Sequence, residues 1–475
     1  MIPMKKTGLL LAGLIAFFTL LKAETNVRGK VYEVGPDKMF TSLHQVPWGK
    51  LMPGDKVLIY WKKESYKEKF AISRMGAKDA PITVSGVPGP DGQRPVLDGR
   101  GATIVPEYSF PNENRCVVKV GSARFEGSQP ARSVGHIIIE NLEIRSAHED
   151  HTFIDRGTEK KYSKNASPIY VEYADNIIIR NNIFTDCGNG LFTTSNCNNV
   201  LVEGNYLYDN GVLNSIYEHN VYMAGNGLIF QYNYFGPLKK GSRSIGNNIK
   251  TRGAGEVIRY NFIEGGNRAL DLVDGGSFAN NPAYYETHVY GNTIVDIGQG
   301  TNPAMVHYGG DSENFDRYRK GTLYFYNNTV INMRPSDSNQ AVFQLDKIDQ
   351  KVDARNNIFY FTSDNAFLKG SGNGTFELTN NWIVSHWKLA RDENESAETK
   401  VSIQGMITGK SPGFVNFDDL DLRLTPGSAC IDAGTSLHSG VQSKHEVLNQ
   451  YVKHQSAEKR PKDGKLDIGA YEAQK

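Results

Sequence analysis

A strand–turn–strand unit recurs along the chain, and its second strand regularly follows an asparagine. Examples are NIIIRNNIF, VLVEGNYLY, EVIRYNFIE and LYFYNNTVI. The asparagines in question are Asn141, Asn182, Asn205, Asn233, Asn261, Asn292, Asn328, Asn357 and Asn381. After Asn182 their spacing varies between 23 and 36 residues. The loops therefore change in length while the strands do not, which is not typical of helical repeats.

Each unit alternates apolar and polar residues, is rich in Ile, Val, Phe and Tyr, and is bounded by Asn, Gly and Asp. One unit cannot bury an apolar face alone, but stacked parallel coils can. Asparagine suits the corner because it tolerates left-handed backbone and can bond to its copy in the next coil. A propeller blade needs about 40 residues or more, and a β-sandwich has no reason to repeat one corner. The sequence therefore predicts an all-β, right-handed parallel β-helix.

The two ends of the chain differ from the repeats. Residues 1–23 combine two early lysines with an apolar stretch that is short for a membrane span, which predicts a signal peptide. We expect an N-terminal cap and first coils in residues 24–134, regular coils in 135–389, and C-terminal coils and a cap in 390–475. The expected product is an exported bacterial protein, periplasmic or extracellular, without a membrane span after cleavage. Solenoids with capped ends are commonly monomeric, so we expect a monomer.

Composition narrows the possible partners. The 53 basic and 52 acidic residues nearly cancel, which argues against a general nucleic-acid binder.

The four cysteines are too few for a disulfide framework in a chain of this length. Buried thiols are the default expectation, and one bond between Cys187 and Cys197 remains open.

Strand alternation predicts an outward-facing group of polar residues. Counting back from the corner asparagines aligns Tyr222 with Lys250 and Asn220 with Asn248 on successive coils. The residues between them, Val221 and Ile249, belong to the apolar inward set. We therefore expect the four polar residues to face outward and to stack about 4.8 Å apart.

The coils, the PGDKVLI segment and the closing SPGF, LTPGSACIDAG and DIGAYE segments resemble secreted bacterial right-handed β-helix proteins, many of which are polysaccharide lyases. The stretch GNNIKTRGAGEVIRYNFIEGG is similar to the catalytic coils of the β-helical alginate lyase and chondroitin B lyase family. This resemblance implies that Lys250 is a general base. The family's catalytic arginine aligns at or near Val273, with Arg252 and Arg268 close in sequence.

Charge gives a separate reason to consider Lys250. β-Elimination at a uronic acid needs a base for the proton next to the carboxylate and a cation to stabilise the developing charge. Seven basic residues and only two acidic ones lie between residues 239 and 268. Because like charge lowers the pKa of a lysine, this basic patch predicts a deprotonated Lys250 and an acidic polysaccharide as the partner.

Several other residues are candidates for the same face. Asp271 and Asp274 can bind Ca²⁺, which is the metal used in related lyases, can form the acid and base of a hydrolase, or can cap a turn. His219 and His307 are candidates for proton transfer or sugar contacts, although packed histidines are more common. Tyr222 and Tyr308 are candidates for stacking against sugars, and Asp311 lies in a long loop that can wall the groove.

The leading hypothesis is a polysaccharide lyase with Lys250 as base, Arg252 or Arg268 as charge stabiliser, and His219, Asp271 and His307 around it. The substrate contacts would come from Asn220, Tyr222, Asn248, His307, Tyr308 and Asp311. A glycoside hydrolase that uses Asp271 with Asp274 or Asp311 is the second hypothesis. A non-catalytic glycan-binding surface protein is the third.

Overall fold

The computed structural model describes residues 29–125, 133–241, 244–335, 340–391 and 399–473. Its strands form three long sheets in which neighbouring strands pair in parallel. In each regular coil the chain passes from the first sheet to the second and then to the third before it starts the next coil. The protein is thus the right-handed parallel β-helix that the repeat predicts, and the described residues contain no α-helix.

The first sheet has 13 strands and reaches almost from end to end of the described chain. Its strands are Val31–Val34, Lys56–Tyr60, Ile82–Val87, Val134–Glu140, Ala174–Arg180, Asn198–Glu203, Asn226–Gln231, Glu256–Arg259, Glu286–Tyr290, Gly321–Tyr326, Gln350–Arg355, Thr375–Thr379 and Lys400–Gln404.

The second sheet follows the asparagine corner and has 11 strands. They are Val96–Asp98, Glu143–Arg145, Ile183–Thr185, Tyr206–Leu207, Tyr234–Phe235, Phe262–Glu264, Thr293–Asp296, Thr329–Asn332, Ile358–Phe361, Trp382–Val384 and Ile407–Gly409.

The third sheet has ten strands, which lie beyond the long loops. They are Phe70–Ile72, Cys116–Val120, Ser167–Val171, Phe192–Thr193, Val221–Met223, Ile249–Thr251, Leu270–Leu272, Ala304–Tyr308, Ala341–Leu345 and Phe367–Lys369.

Shorter elements decorate the loops and the ends. Three small sheets are two-stranded and one is three-stranded; their strands are Thr103–Ile104, Tyr108–Ser109, Arg124–Phe125, Thr152–Asp155, Thr158–Lys161, Phe414–Asn416, Asp421–Leu424, Asn449–Val452 and Ser456–Lys459. The 3₁₀ turns are Leu43–Gln45, Trp48–Lys50, Glu113–Arg115, Pro282–Tyr285 and Phe315–Arg317.

The corner asparagines form a buried ladder between the first and second sheets. Asn233 is representative: its backbone N donates to Asn261 Oδ1 at 3.0 Å, and its Nδ2 donates to the same oxygen at 2.9 Å. The Nδ2 also donates to Val202 O at 2.9 Å, so one amide closes its own corner and joins the next coil. All ladder asparagines from Asn182 to Asn381 are fully buried. Bonding between copies, which the sequence predicts, is therefore present.

The ladder differs from the prediction in two details. The left-handed backbone belongs to the residue before each ladder asparagine, as in Tyr232 with φ 60° and Asn327 with φ 49°. Asn141 is also such a residue, because Glu140 pairs with Arg180 and Asn141 therefore aligns with Asn181. The ladder position of this coil is held by Leu142, whose backbone N donates to Asn182 Oδ1 at 3.0 Å. The mark placed at Asn141 is thus wrong by one residue.

The C-terminal segment runs back along the outside of the coils. Tyr326 Oη donates to His445 O at 2.7 Å, and Gln455 Nε2 donates to Gly204 O at 2.8 Å. These two contacts join residues that are 119 and 251 positions apart in the sequence. We call residues 436–459 the return segment.

Some sequence predictions concern parts without a structural description. The predicted signal peptide, residues 1–23, lies outside the described residues. In the part of the chain that is described, no helix is long and apolar enough to cross a bilayer.

All four cysteines are buried and free, so the bond considered between Cys187 and Cys197 is not formed.

Candidate active site

One outward row of the third sheet carries polar side chains on consecutive coils. In the parallel register, Tyr222 pairs with Lys250, Lys250 with Asp271, and Asp271 with His307. The row ends in Gln344, which pairs with His307. The neighbours of Lys250 in its strand, Ile249 and Thr251, are fully buried, as alternation requires. Stacking thus brings together residues that are up to 122 positions apart in the chain.

Lys250 lies between two carboxylates. Its Nζ donates to Asp271 Oδ2 at 2.8 Å and to Asp311 Oδ2 at 2.6 Å. Burial alone would lower the pKa of Lys250, but the two carboxylates outweigh burial and raise this pKa above its usual value. The predicted environment of like charge is therefore wrong. Lys250 is a cation in this site, which contradicts the role of an uncharged base.

Arg252 lies two residues further along the strand direction and shares Asp311 with Lys250. Its Nη2 donates to Asp311 Oδ1 at 2.6 Å and to Oδ2 at 2.8 Å. Its Nη1 donates to Asp274 O at 2.9 Å, and its Nε donates to Tyr222 Oη at 3.1 Å. We call Lys250 and Arg252 the cation pair. In the described structure this pair holds one carboxylate, that of Asp311, at the surface.

Asp271 and His307 support Lys250 from the next two coils. Asp271 accepts from Lys250, from Asn247 Nδ2 at 2.7 Å and from His307 Nδ1 at 2.9 Å. These donors outweigh burial and hold the pKa of the Asp271 carboxyl well below its usual value. His307 Nε2 donates to Asp346 Oδ2 at 2.8 Å, and the two carboxylates together raise the pKa of His307 despite its burial. His307 with a carboxylate at each nitrogen is held as an imidazolium.

Arg268 and His219 lie beside this chain of contacts. Arg268 Nη2 donates to Gln344 Oε1 at 3.0 Å, and its Nε lies 3.8 Å from Asp271 Oδ1. Burial lowers the pKa of His219 to about 3, with a further contribution from Lys250. Its Nδ1 accepts from the backbone N of Asn247 at 2.8 Å, which assigns the proton of the neutral ring to Nε2. His219 is consequently a donor rather than a base.

Three predicted substrate contacts do not reach the surface. Asn220 and Asn248 are fully buried, and Asn220 Nδ2 donates to Asn248 Oδ1 at 2.8 Å. They form a second, shorter asparagine ladder at the start of the third sheet. Tyr308 is fully buried as well, because alternation places it on the inward side next to outward His307. The prediction that these three residues face the substrate is wrong.

The predicted calcium site has no ligand set in this structure. The oxygens of Asp271 are occupied by protein donors, and Asp274 Oδ1 accepts from Asp311 N at 2.8 Å and Arg252 Nη1 at 3.3 Å. Among the described residues, no three His, Cys, Asp or Glu side chains are grouped so that they could hold a metal ion. Cationic side chains thus neutralise these aspartates, and the pair does not fit a calcium site.

The sequence reasoning missed Asn247, Gln344 and Asp346. Gln344 pairs with His307 in the register of the third sheet, but it lies 13 residues before Asn357, so the count of 11 that aligns Tyr222 with Lys250 does not reach it. Asp346 lies two positions beyond it, as Arg252 does relative to Lys250. No periodic signal marks Asn247, which precedes its strand.

No protein-family profile matches the chain, and comparison with curated protein sequences finds no significant match. Among solved structures, the protein is similar to pectate lyase Pel9A, with 11% identity, 94% of this chain and 96% of that chain covered, and a TM-score of 0.46. It is also similar to the GH136 lacto-N-biosidase from Eubacterium ramulus, with 12% identity, 79% and 68% coverage, and a TM-score of 0.45. A third is the Streptococcus pneumoniae surface protein and adhesin PfbA, with 12% identity, 74% and 90% coverage, and a TM-score of 0.43. At these values the similarity assigns no activity to this chain.

Proposed function

We propose that the protein is an exported enzyme that cleaves an acidic polysaccharide by β-elimination at the outer face of the third sheet. The observation that carries the proposal is the carboxylate of Asp311 on the cation pair, at 2.6 Å from Lys250 Nζ and 2.6 and 2.8 Å from Arg252 Nη2. The Asp311 side chain is 34% exposed and comes from a loop. A uronic acid of the substrate offers the same group and can take the place of Asp311.

The proposed reaction uses the positive charge of the cation pair. A base removes the proton from the carbon that bears the carboxylate, and that electron pair becomes the new carbon–carbon double bond. The glycosidic carbon–oxygen bond on the next carbon breaks, and its oxygen takes up a proton. Negative charge grows on the carboxylate during proton removal, so cations placed there before the reaction stabilise the transition state. Lys250 and Arg252 have this role in the proposal.

Tyr222 is the proposed proton-transfer residue. Its hydroxyl accepts from Arg252 Nε at 3.1 Å and therefore lies next to the place where the cation pair holds a carboxylate. The arginine N–H stabilises negative charge on the phenol oxygen, so in the proposal the Tyr222 oxygen removes the proton from the carbon as a phenolate and then passes that proton to the leaving oxygen, which restores Tyr222. Asp271 and His307 act through Lys250 as positioning residues, since they hold its ammonium in place.

The charge states disfavour a hydrolase with paired aspartates. Hydrolysis of a glycosidic bond needs one protonated carboxyl as general acid. Despite burial, neighbouring cations and hydrogen-bond donors lower the pKa of Asp271, Asp311 and Asp346, so these groups are carboxylates at neutral pH. Elimination needs no carboxylic acid and is the better fit.

The test is ultraviolet absorbance of the unsaturated uronyl end, together with a reducing-sugar assay, on alginate, polygalacturonate and chondroitin sulfate. We expect Tyr222→Phe and Arg252→Gln each to lower kcat by about 100-fold or more, the usual scale for a lost proton-transfer or charge-stabilising group. Lys351→Met, on the outer face of the first sheet, is the matched control and should change little. Treatment with EDTA should leave the rate unchanged.

Two results would overturn this assignment. Reducing ends without new absorbance would mean hydrolysis. Polymer binding without either signal, for every polymer tested, would mean a binding protein. Full elimination activity in Tyr222→Phe would reject Tyr222 alone and leave the cation pair in place.

A further inference from the structure

A pocket opens beside the cation pair, toward the preceding coils. Its volume is about 350 Å³. The rings of Phe192 and Tyr222 form one wall, Arg252 forms the end next to Lys250, and Gly276 and Arg317 form the outer wall. We propose that this pocket binds the neighbouring acidic sugar unit of the polymer, with Arg317 at its anionic group. This inference rests on the proposed function, since both sites lie on one groove.

Arg317 has no carboxylate counter-ion within the part of the chain that the structure describes. Its backbone is fixed, because its N donates to Asn314 O at 3.0 Å and its O accepts from Tyr284 Oη at 2.8 Å. Its side chain is exposed, and no carboxylate of the described residues pairs with its guanidinium, in contrast to Arg252. A positioned cation at the rim of a pocket favours an anionic ligand.

Gly276 makes room for this side chain. A Cβ at Gly276 would lie 2.9 Å from Arg317 Cδ and 3.3 Å from its Nε and Nη1. A contact below 3.0 Å requires a shift, and the flexible, exposed side chain of Arg317 is the group that would move. A substitution at Gly276 therefore offers a second way to move the cation.

The aromatic wall of the pocket is backed by Tyr170 of the preceding coil, which is buried. Tyr170 and Phe192 stack with ring centroids 5.1 Å apart and planes 4° from parallel. Phe192 and Tyr222 meet edge to face at 5.5 Å. Sugar rings have apolar faces that pack on such surfaces, while their hydroxyls need polar partners. Thr194 and Ser195 on the same pocket supply these.

The charge of the pocket selects an anionic sugar over a neutral one. Of the charged residues that line it, Asp274 is already engaged by Arg252 Nη1 and by the backbone N of Asp311. The guanidinium of Arg317 remains for the ligand. The anionic group can be a carboxylate or a sulfate, since both accept two parallel N–H bonds from arginine.

The experiment compares the wild-type protein with Arg317→Gln in affinity electrophoresis through gels that contain polygalacturonate, methyl-esterified polygalacturonate or dextran sulfate. We expect Arg317→Gln to weaken binding about fivefold for at least one charged polymer, as for loss of one partly exposed ion pair, and to leave the esterified polymer unchanged. Sensitivity only with polygalacturonate identifies a carboxylate, and sensitivity only with dextran sulfate identifies a sulfate. Arg391→Gln, an exposed arginine far along the chain, is the matched control. Gly276→Ala should weaken binding of the same polymer less than Arg317→Gln does, because it displaces the guanidinium without removing its charge.

Unchanged binding of both charged polymers by Arg317→Gln would overturn the inference. The result is separable from that of the proposed function. Weaker binding in a protein that shows no elimination would support the pocket and reject the lyase. Elimination with an unchanged KM in Arg317→Gln would reject the pocket and support the lyase.

Discussion

Replacement of Asp311 distinguishes two roles for this residue. Asp311 either occupies the place of the substrate carboxylate or takes part in the reaction. Its carboxylate occupies the cation pair in the described structure. We expect Asp311→Asn to lower KM for the acidic polymer about fivefold with kcat largely kept, because the competing charge is gone. Initial rates of absorbance increase would measure both constants.

The control for this substitution is Asp316→Asn, an exposed aspartate on the same loop. It should leave KM unchanged. A large loss of kcat in Asp311→Asn would contradict the stand-in role and place Asp311 in the reaction itself.

At the residue scale, the alignment of Tyr222 with Lys250 could be counted from the corner asparagines. The charge state of Lys250 could not, since it depends on Asp271 one coil later and on Asp311 from a loop. The basic residues of 239–268 are also dispersed: Arg259 lies on the first sheet and Lys239 pairs with Asp186. Basic residues that are close in the sequence therefore do not form one basic patch on the coils.

At the scale of elements, the asparagine ladder should be the most sensitive part of the fold. In Asn261→Ala, the backbone N and Nδ2 of Asn233 lose their acceptor, and the carbonyl of Phe230 loses a donor. Each orphaned buried group costs about 1–3 kcal/mol, so the free energy of unfolding should fall by about 3–5 kcal/mol. Chemical denaturation followed by circular dichroism would measure the change.

Asn198→Ala is the matched control, because Asn198 is exposed and its side-chain Nδ2 donates to Asp175 Oδ1 at 2.7 Å without a place in the buried ladder. Its effect should stay within about 0.5 kcal/mol. Equal losses in the free energy of unfolding for the two variants would show that a ladder asparagine stabilises the fold no more than an exposed one.

The two asparagine sets also show how far elements can be predicted. The first ladder could be predicted because each member directly precedes an apolar strand. Asn220 and Asn248 precede strands in the same way, but they were assigned to the surface by alternation alone. Alternation holds within a strand and fails at its ends, where the backbone turns and an amide can point inward.

At the scale of the whole molecule, the return segment covers part of the first sheet through two stacked histidines. His288 of the sheet and His445 of the return segment have ring centroids 3.9 Å apart. Burial, then His445 and Lys444, lower the pKa of His288 to about 3. Burial, then Arg259 and Lys444, lower that of His445. The acidic group near this pair is Glu286, at 3.9 Å from His288 Nε2.

These shifts make the protein sensitive to acid. An unfolded histidine takes up a proton near pH 6.5, whereas folded His288 does so only near pH 3. The unfolded state therefore binds more protons in this window, and stability falls as the pH drops from about 6.5 toward 3. We expect His288→Phe to reduce the loss of Tm between pH 7.5 and pH 5. Thermal unfolding at the two pH values would measure it.

His386→Phe, at an exposed position, is the control and should keep the wild-type pH dependence. His219, with a pKa of about 3, remains in both variants and preserves part of the acid sensitivity. A His288→Phe protein with the full wild-type loss of Tm would show that the histidine stack does not set it.

The sequence by itself determined the β-helix, because every coil repeats the same local signals: alternating strands, a corner asparagine and a loop of free length. It also aligned Tyr222 with Lys250 in one outward row of the third sheet. Only the tertiary structure decided what that row does. The partners of Lys250 come from neighbouring coils and a loop, and Arg317 reaches the groove across a glycine from another coil. Charge and proton affinity depend on distances between such segments, and no local pattern in the chain encodes those distances.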